Sequence, residues 1–394
     1  MTNAEIIDLT KRYLFQVYAR APVAIVRGQG CRVWDGDGCE YLDFFSSTVV
    51  TALGHSHPTV TAAIREQADK ILHVSNLHYS EPGARLAERL CTHSFADRVF
   101  LCNSGAEANE AAIKLARKYG HEKGEGRFEI VTATGSFHGR TLATIVATGQ
   151  EKVRIGFQPL PEGFRYAPFN DVAALEDAIT DRTIAIMLEP IQGESGVIVP
   201  SLDYLRRVRE LCDRHHLLLI LDEIQTGVGR AGSLFFHEHA GITPDIATLA
   251  KGLGNGVPIG AMLATEPVSS AFVLGSHGST FGGNAFASAV AFAVVGVLLQ
   301  GAVLENCMAM GEYLRQGLTR LAGKHSMLKQ VRGHGLLIGA ELSVAAAPIV
   351  ERCRETGLLI NAAGEKVLRL TPPLIVSRAE VDEALAIIDE ALVG

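Results

Sequence analysis

Residues 217–221, Leu-Leu-Leu-Ile-Leu, run without a polar interruption into Asp222 and Glu223. An aliphatic run with no alternation reads as a strand covered on both faces, and such strands belong to parallel sheets layered between helices. A carboxylate at the end of a strand of this kind must reach water or meet a cation. The same texture recurs at 99–102, 129–132, 184–188, 246–249 and 261–264, with amphipathic stretches such as DVAALEDAI and YLRRVRELC between the runs. Alternation of this kind predicts right-handed βαβ units, hence an α/β fold with a mostly parallel central sheet flanked by helices.

The two ends of the chain read differently. Residues 1–20 have the pattern of a helix, and 23–44 that of a meander broken by GQG and DGDG turns. Past 281 a helical segment leads to the strand-like VRGHGLLIGAEL (331–342) and KVLRLTPPL (366–374). The expected organisation is therefore an N-terminal segment, 1–49, joining a smaller α+β domain at 281–394, with a large domain at 50–280 between them.

Composition narrows the classes of function. A formal charge of -7, with no Lys/Arg-rich block, argues against a nucleic-acid partner. Seven cysteines without CxxC spacing suit reduced thiols, and no secretory leader is visible, so the expected location is the cytoplasm. The longest apolar stretch, 285–299, has 15 residues, short of the roughly 20 that span a bilayer, and reads as a core helix. His55 and His57 in GHSHP have no third ligand at suitable spacing, so no metal site is expected.

Ligands of open α/β sheets bind beyond the carboxyl ends of the strands. There this chain carries NSGAEANEAA after 99–102, ATGSFHGRT after 129–132, Glu189 after 184–188, Asp222 after 217–221 and Lys251 after 246–249. Ser104 and Glu107 fit an S-x-x-E capping box, and Gly105 lets a ligand approach the free amides of the helix start, a phosphate seat. Neither a Walker loop nor a dinucleotide fingerprint is present. Lys251 reads either as a surface lysine or as an amine of lowered pKa able to form a Schiff base. Asp222 could be a cap or an ion-pair partner, and Phe137 plain core. Taken together, a phosphate seat, a Schiff-base lysine and a buried carboxylate meet the needs of pyridoxal 5′-phosphate (PLP), whose ring nitrogen Asp222 would keep protonated.

SGAEANEAAIKLAR, SFHGRT, EPIQGE, LDEIQTGVGR, LAKGLGNGVPIGA, HGSTFGGN and LRLTPPL closely resemble the class III, ornithine/acetylornithine-type, PLP-dependent aminotransferases. The likeness runs nearly end to end and implies the PLP-dependent transferase fold type I. Within the class, APVAIVRGQGCRVWD and SNLHYSEPGARLAERL favour the acetylornithine branch. That branch implies transfer of the terminal amine of N2-acetyl-L-ornithine to 2-oxoglutarate, a step of arginine biosynthesis. The alternative keeps the chemistry with succinylornithine, acetyl-lysine, ornithine or 4-aminobutyrate as donor. A non-enzymatic phospholigand-binding protein is a remoter reading.

By this resemblance Lys251 carries the cofactor and shuttles the proton, Asp222 pairs with the ring nitrogen and Gln225 bonds the phenolic oxygen, with Glu223 beside them in the cofactor motif. Ser104, Gly105 and Ala106 would hold the phosphate and Phe137 would stack on the ring. Thr280, beside Ser279, would complete the phosphate site of a partner subunit, which makes a homodimer necessary. Arg369 would take the substrate α-carboxylate and Glu189 would pair with Arg369 until the dicarboxylate arrives. Arg140 would take the carboxylate of acetylornithine, and Ser279 would also contact substrate. The chain departs from the family at Ser46-Ser47-Thr48, near the substrate entrance, and lacks a common proline after Asn284.

Overall fold

Alternate residues of the opening run face opposite ways. Leu218 and Ile220 pack with Ala111, Ala112 and Leu115 of a helix on one face, while Leu219 and Leu221 pack with Leu205, Val208 and Leu211 of a helix on the other. Two apolar faces explain why the run shows no polar alternation.

The computed structural model describes residues 1–124 and 126–393. Among them, seven strands form the central sheet: β1 (Arg98–Cys102), β2 (Glu129–Ala133), β3 (Phe164–Ala167), β4 (Thr183–Leu188), β5 (Leu218–Asp222), β6 (Ile246–Leu249) and β7 (Gly260–Ala264). Their order is β1-β7-β6-β5-β4-β2-β3. Neighbours from β6 across to β3 run parallel, and β7 runs antiparallel to both β6 and β1. The six expected strands form within one residue of their expected bounds, and the sheet is mostly parallel as the pattern required. The strand not anticipated is β3. Its sequence, FRYA, lies at the sheet edge with only Ala167 buried and carries no apolar run to announce it.

Residues Ala285–Leu299 form one helix, packed against the helices Pro58–Ala68 and Glu81–Thr92. Among the described residues no single helix is long and apolar enough to cross a membrane. The expected N-terminal helix is shorter than its pattern, spanning Asn3–Tyr13 behind a Thr2 capping box.

Two smaller sheets complete the fold. Ile25–Gln29, Arg32–Asp35 and Glu40–Asp43 form the antiparallel meander, and Leu358–Leu359 joins its edge in parallel, so the two ends of the chain share a sheet. Leu328–His334, Leu337–Leu342, Val367–Leu370 and Asn361–Ala363 form the other, fully antiparallel, sheet. It carries Arg369 opposite Gly339 and Asn361.

The departure at Ser46-Ser47-Thr48 is a backbone feature. Ser46, Ser47, Thr48 and Val49 all have positive φ, between 47° and 63°, forming one left-handed turn without a glycine. Left-handed conformation costs about 1–2 kcal/mol per L-residue. The surrounding structure imposes it. Asp43 Oδ1 accepts the N–H groups of Phe45 (3.0 Å) and Ser46 (2.8 Å), and Thr371 Oγ1 donates to the Phe45 carbonyl at 2.9 Å. Ser47 is exposed, so removing its side chain loses no packing. Ser47→Gly is expected to stabilise the protein by about 1 kcal/mol, raising Tm by about 1–2 °C in a thermal scan. An unchanged or lower Tm contradicts the strain.

Candidate active site

The carboxyl ends of β1, β2, β4, β5 and β6 open on one cavity of about 440 Å³. Ser104, Gly105, Ala106, Phe137, Arg140, Glu189, Asp222, Gln225 and Lys251 all line it. Nine residues scattered over nearly 150 positions of sequence thus meet at one place, because parallel strands present all their carboxyl ends on the same edge.

The phosphate seat opens the helix Gly105–Glu122. Ser104 Oγ accepts the Glu107 N–H at 3.2 Å, the forward half of the expected capping box. The return half differs: Glu107 Oε2 accepts the N–H of Asn103 at 2.8 Å, one residue before the cap. With Glu107 N–H engaged by the cap, the amides of Gly105 and Ala106 are the first-turn donors at the cavity wall, where an anion gains from both the N–H groups and the helix dipole. A Cβ at Gly105 would lie 2.7 Å from Ile224 Cδ1, so glycine is what lets this helix start approach the strand end of Asp222.

Asp222 ends β5 opposite Thr248 of β6, and Lys251 follows β6 after one residue, Ala250. Lys251 holds a left-handed φ of 46°, the kind of backbone strain that persists where the surroundings over-determine a residue's position. Enclosure in the cavity pushes its amine down to about 8; the Arg369 cation acts in the same direction, while Glu194, Asp222 and Glu189 oppose it. At pH 7 about a tenth of such an amine is unprotonated, some 300-fold more than for an ordinary lysine. That is a nucleophile poised for a carbonyl carbon.

Sequence reasoning misplaced one ion pair. Arg369 does not pair with Glu189: its Nη1 bonds Glu194 Oε1 at 2.8 Å, with the Gly193 carbonyl at 3.2 Å and Nε on Asn361 Oδ1 at 3.2 Å. Gln225 Nε2 donates to the same Glu194 oxygen at 3.1 Å. Burial alone would raise Glu194, but the Arg369 guanidinium, the Lys251 amine and the Gln225 amide outweigh it and hold the carboxyl below its ordinary value. Glu189 Oε2 instead accepts the Phe137 N–H at 2.9 Å, which ties the β2–Phe137 segment to the end of β4. Its burial, with Asp222 close by, pushes Glu189 well above an ordinary carboxyl despite that bond. The cause of the swap is the loop path: Gln192 and Ile198 pair as an antiparallel bridge, so the chain doubles back and swings Glu194 over Arg369. A Cβ on Gly193 would lie 2.2 Å from Gln225 Oε1, so a larger residue there would push the Gln225 amide out of its present place.

Glu223 is a second correction. Its carboxylate does not line the cavity. It accepts Thr226 Oγ1 (2.7 Å), the N–H of Phe236 (2.8 Å) and His237 N–H and Nδ1 (both 3.0 Å), and so closes the loop after β5 on the opposite side. Ser279 and Thr280 also lie outside this chain's own cavity. Ser279 Oγ bonds Asn103 Nδ2 at 3.2 Å and Gly282 N–H at 3.0 Å, and Thr280 is exposed. Arg140 is exposed at the cavity, its guanidinium 5.4 Å from the Phe137 ring centre. His55 is engaged by Asp43, Nε2 to Oδ2 at 2.8 Å.

The sequence pattern did not single out three polar residues of the site. Asn109 Nδ2 donates to Asp222 Oδ2 at 2.8 Å, His138 Nδ1 to the same oxygen at 2.7 Å, and Thr248 Oγ1 to Asn109 Oδ1 at 2.8 Å. Asn109 looks like any residue of a capped helix and His138 stands next to the more conspicuous Phe137; only the presence of a polar residue inside the helix's alanine face could have flagged them.

The residues fit PLP by their chemistry. A partly buried amine of lowered pKa, a fixed carboxylate, first-turn amides for a phosphate and an aromatic ring share one cavity. PLP is the cofactor of this site, and it supplies an electron sink for charge that develops on the substrate carbon.

Comparison with known proteins agrees. The family model "Aminotransferase class-III" matches residues 15–392. An acetylornithine aminotransferase of Caldanaerobacter subterraneus subsp. tengcongensis is 50% identical over 388 residues, covering 98% of each chain. One of Methanocaldococcus jannaschii is 48% identical over 395 residues, covering 99% of this chain and 98% of its own. Among solved structures, the ornithine aminotransferase of Toxoplasma gondii superposes with a TM-score of 0.96 at 35% identity, over 100% of this chain and 95% of that one. The N-acetylornithine aminotransferase of Stenotrophomonas maltophilia K279a superposes at 0.85 with 42% identity, over 98% of both. Motifs, cavity and full-length matches converge on one conclusion: the chain belongs to the class III aminotransferases.

Proposed function

We propose that the chain moves the terminal amine of N2-acetyl-L-ornithine to 2-oxoglutarate, releasing N-acetylglutamate 5-semialdehyde and glutamate. The observation that carries this reading is the buried Arg369, held by Glu194 and close enough to Lys251 for its charge to act on that amine. A guanidinium already bound to one carboxylate is where a dicarboxylate can dock its α-carboxylate bidentately. In this reading Glu194, not Glu189, occupies Arg369 while an amine donor without a carboxylate at that end is bound, and yields it to 2-oxoglutarate. Arg140, exposed at the mouth, takes the carboxylate of acetylornithine. Lys251 binds the cofactor and moves the proton at the substrate carbon; Asp222 holds the ring nitrogen and Gln225 the phenolic oxygen. Acetylornithine as donor rests on the names of relatives such as those above, at 46–50% identity.

The chain works as a homodimer in the cytoplasm in this reading. Thr280 lies outside its own cavity, and the surface of the chain carries exposed apolar side chains such as Leu77, at 90%, and the neighbouring Phe281, at 61% exposure. A second copy would cover that surface and receive Thr280 at its phosphate seat.

An amine-donor panel with 2-oxoglutarate tests the substrate. N2-Acetylornithine should give the highest kcat/KM among it, succinylornithine, N6-acetyl-lysine, ornithine and 4-aminobutyrate. A tenfold preference for ornithine or 4-aminobutyrate overturns the assignment. Arg369→Lys is expected to raise KM for 2-oxoglutarate about 10²-fold, because lysine loses the bidentate fork and leaves Glu194 poorly paired. Single-turnover conversion of the amine donor should change far less. Equal loss in both half-reactions would place Arg369 outside dicarboxylate recognition.

A further inference from the structure

We propose that Asn109 and His138 are positioning residues for Asp222, and that they set how tightly its carboxylate grips the ring nitrogen of PLP. The proposal rests on the assignment of Asp222 to that nitrogen. Asp222 Oδ2 takes two side-chain donors, Asn109 Nδ2 at 2.8 Å and His138 Nδ1 at 2.7 Å. Oδ1 takes a single backbone donor, Ile224 N–H at 3.1 Å, and so keeps the capacity to accept from a ligand. The carboxylate is thereby pinned in rotation, one oxygen committed to the protein and the other available to the cofactor.

Each donor is itself oriented. Asn109 Nδ2 also donates to the His138 carbonyl at 2.7 Å, an acceptor only, which settles which end of the amide faces Asp222, and its Oδ1 then accepts Thr248 Oγ1 at 2.8 Å. The His138 backbone N–H donates to Thr148 Oγ1 at 2.9 Å. Because Asp222 can only accept, the His138 proton on this side is fixed at Nδ1, while Nε2 is buried without a polar partner. Asn109, Asp222, Thr248 and the His138 side chain are all fully or almost fully buried, so water does not substitute for a lost donor. The network connects the helix behind the phosphate seat, the loop after β2 and the ends of β5 and β6. Four elements thus bear on one carboxylate. Held in this way, it meets the cofactor without reorganising.

A double-mutant cycle with PLP itself tests this. In the full-length protein, His138→Leu should weaken PLP, measured by absorbance titration of the apoprotein, at least tenfold, and Asn109→Leu likewise. His138→Asn, whose amide can stand where Nδ1 stood, should recover most of the affinity. In an Asp222→Ala background the same His138→Leu change should alter PLP affinity less than twofold, since its route of action is gone. Equal losses in both backgrounds, or no loss in the first, overturn the proposal in favour of plain packing. Should His138→Leu not fold, Asn109→Ser takes its place in the cycle, with the same losses expected in each background. If Asp222→Ala alone leaves affinity and kcat within threefold, it is the assignment of Asp222 that fails, and that outcome is distinct from the others.

Discussion

Lys251→Ala is expected to lower kcat by about 10⁴-fold or more and to abolish the absorbance band of coenzyme joined to the protein as a Schiff base. Proton transfer by a positioned side chain contributes about 10²–10⁴-fold, and this lysine also supplies the covalent attachment, so both losses fall on one substitution. The amine's environment adds a second, opposite effect on stability. Its folded value near 8 lies below the 10.5 of an ordinary lysine. The folded apoprotein therefore binds this proton less readily than the unfolded chain does. The resulting penalty is complete below pH 8, about 3 kcal/mol, and fades as pH rises from 8 to 10.5. Lys251→Met, which keeps the bulk and removes the charge, should accordingly make the apoprotein more stable at pH 7 while leaving it inactive. The gain should shrink as pH rises above 8. A protein that keeps its turnover and that band without Lys251 would end the assignment; an apoprotein destabilised by methionine at pH 7 would contradict its enclosure.

Asp222→Ala is expected to cost about 10³-fold in kcat, the scale on which a fixed electrostatic partner acts in a water-poor site. The residue sits at the end of β5, 4% exposed, with donors on both oxygens. Removing it leaves Asn109 and His138 with unpaired buried N–H groups, worth about 1–3 kcal/mol each in desolvation. The variant should therefore also melt earlier than the parent. Asp222→Asn separates the two effects. An amide oxygen in the place of Oδ2 can still accept from both Asn109 and His138, so stability should largely recover, whereas kcat should remain low because the amide carries no charge for the ring nitrogen. Parallel recovery of both would make Asp222 a structural residue only.

Much of this site could be read along the chain, and the reason is local. An aliphatic run buried on two faces has a recognisable composition, and whatever follows it stands at the edge where ligands bind. Ser104, Asp222 and Lys251 stand one or two residues after such runs, and Phe137 follows in the loop after β2. The edge strand Phe164–Ala167 escaped because at the end of the sheet only its last residue, Ala167, is buried, so it carries no apolar run.

What local pattern could not supply is which charged group meets which. EPIQGE holds two glutamates in an irregular loop, and the fold-back between Gln192 and Ile198 decides that the second, Glu194, reaches Arg369. Glu223 follows Asp222 in the chain, yet backbone alternation sends it to the far side, where it closes the Thr226–His237 loop. Asn109, His138 and Thr248 are distant in sequence and come together only because strand order sets β5 beside β6 under one helix. The amino-acid order by itself determined six of the seven strands of the central sheet and the edge that carries chemistry, since burial and periodicity are written residue by residue, and its motifs singled out the lysine. The tertiary structure alone decided the ion-pair partner of Arg369 and the scaffold of Asp222, because a hydrogen bond about 3 Å long depends on loop path and rotamer, which no periodicity encodes.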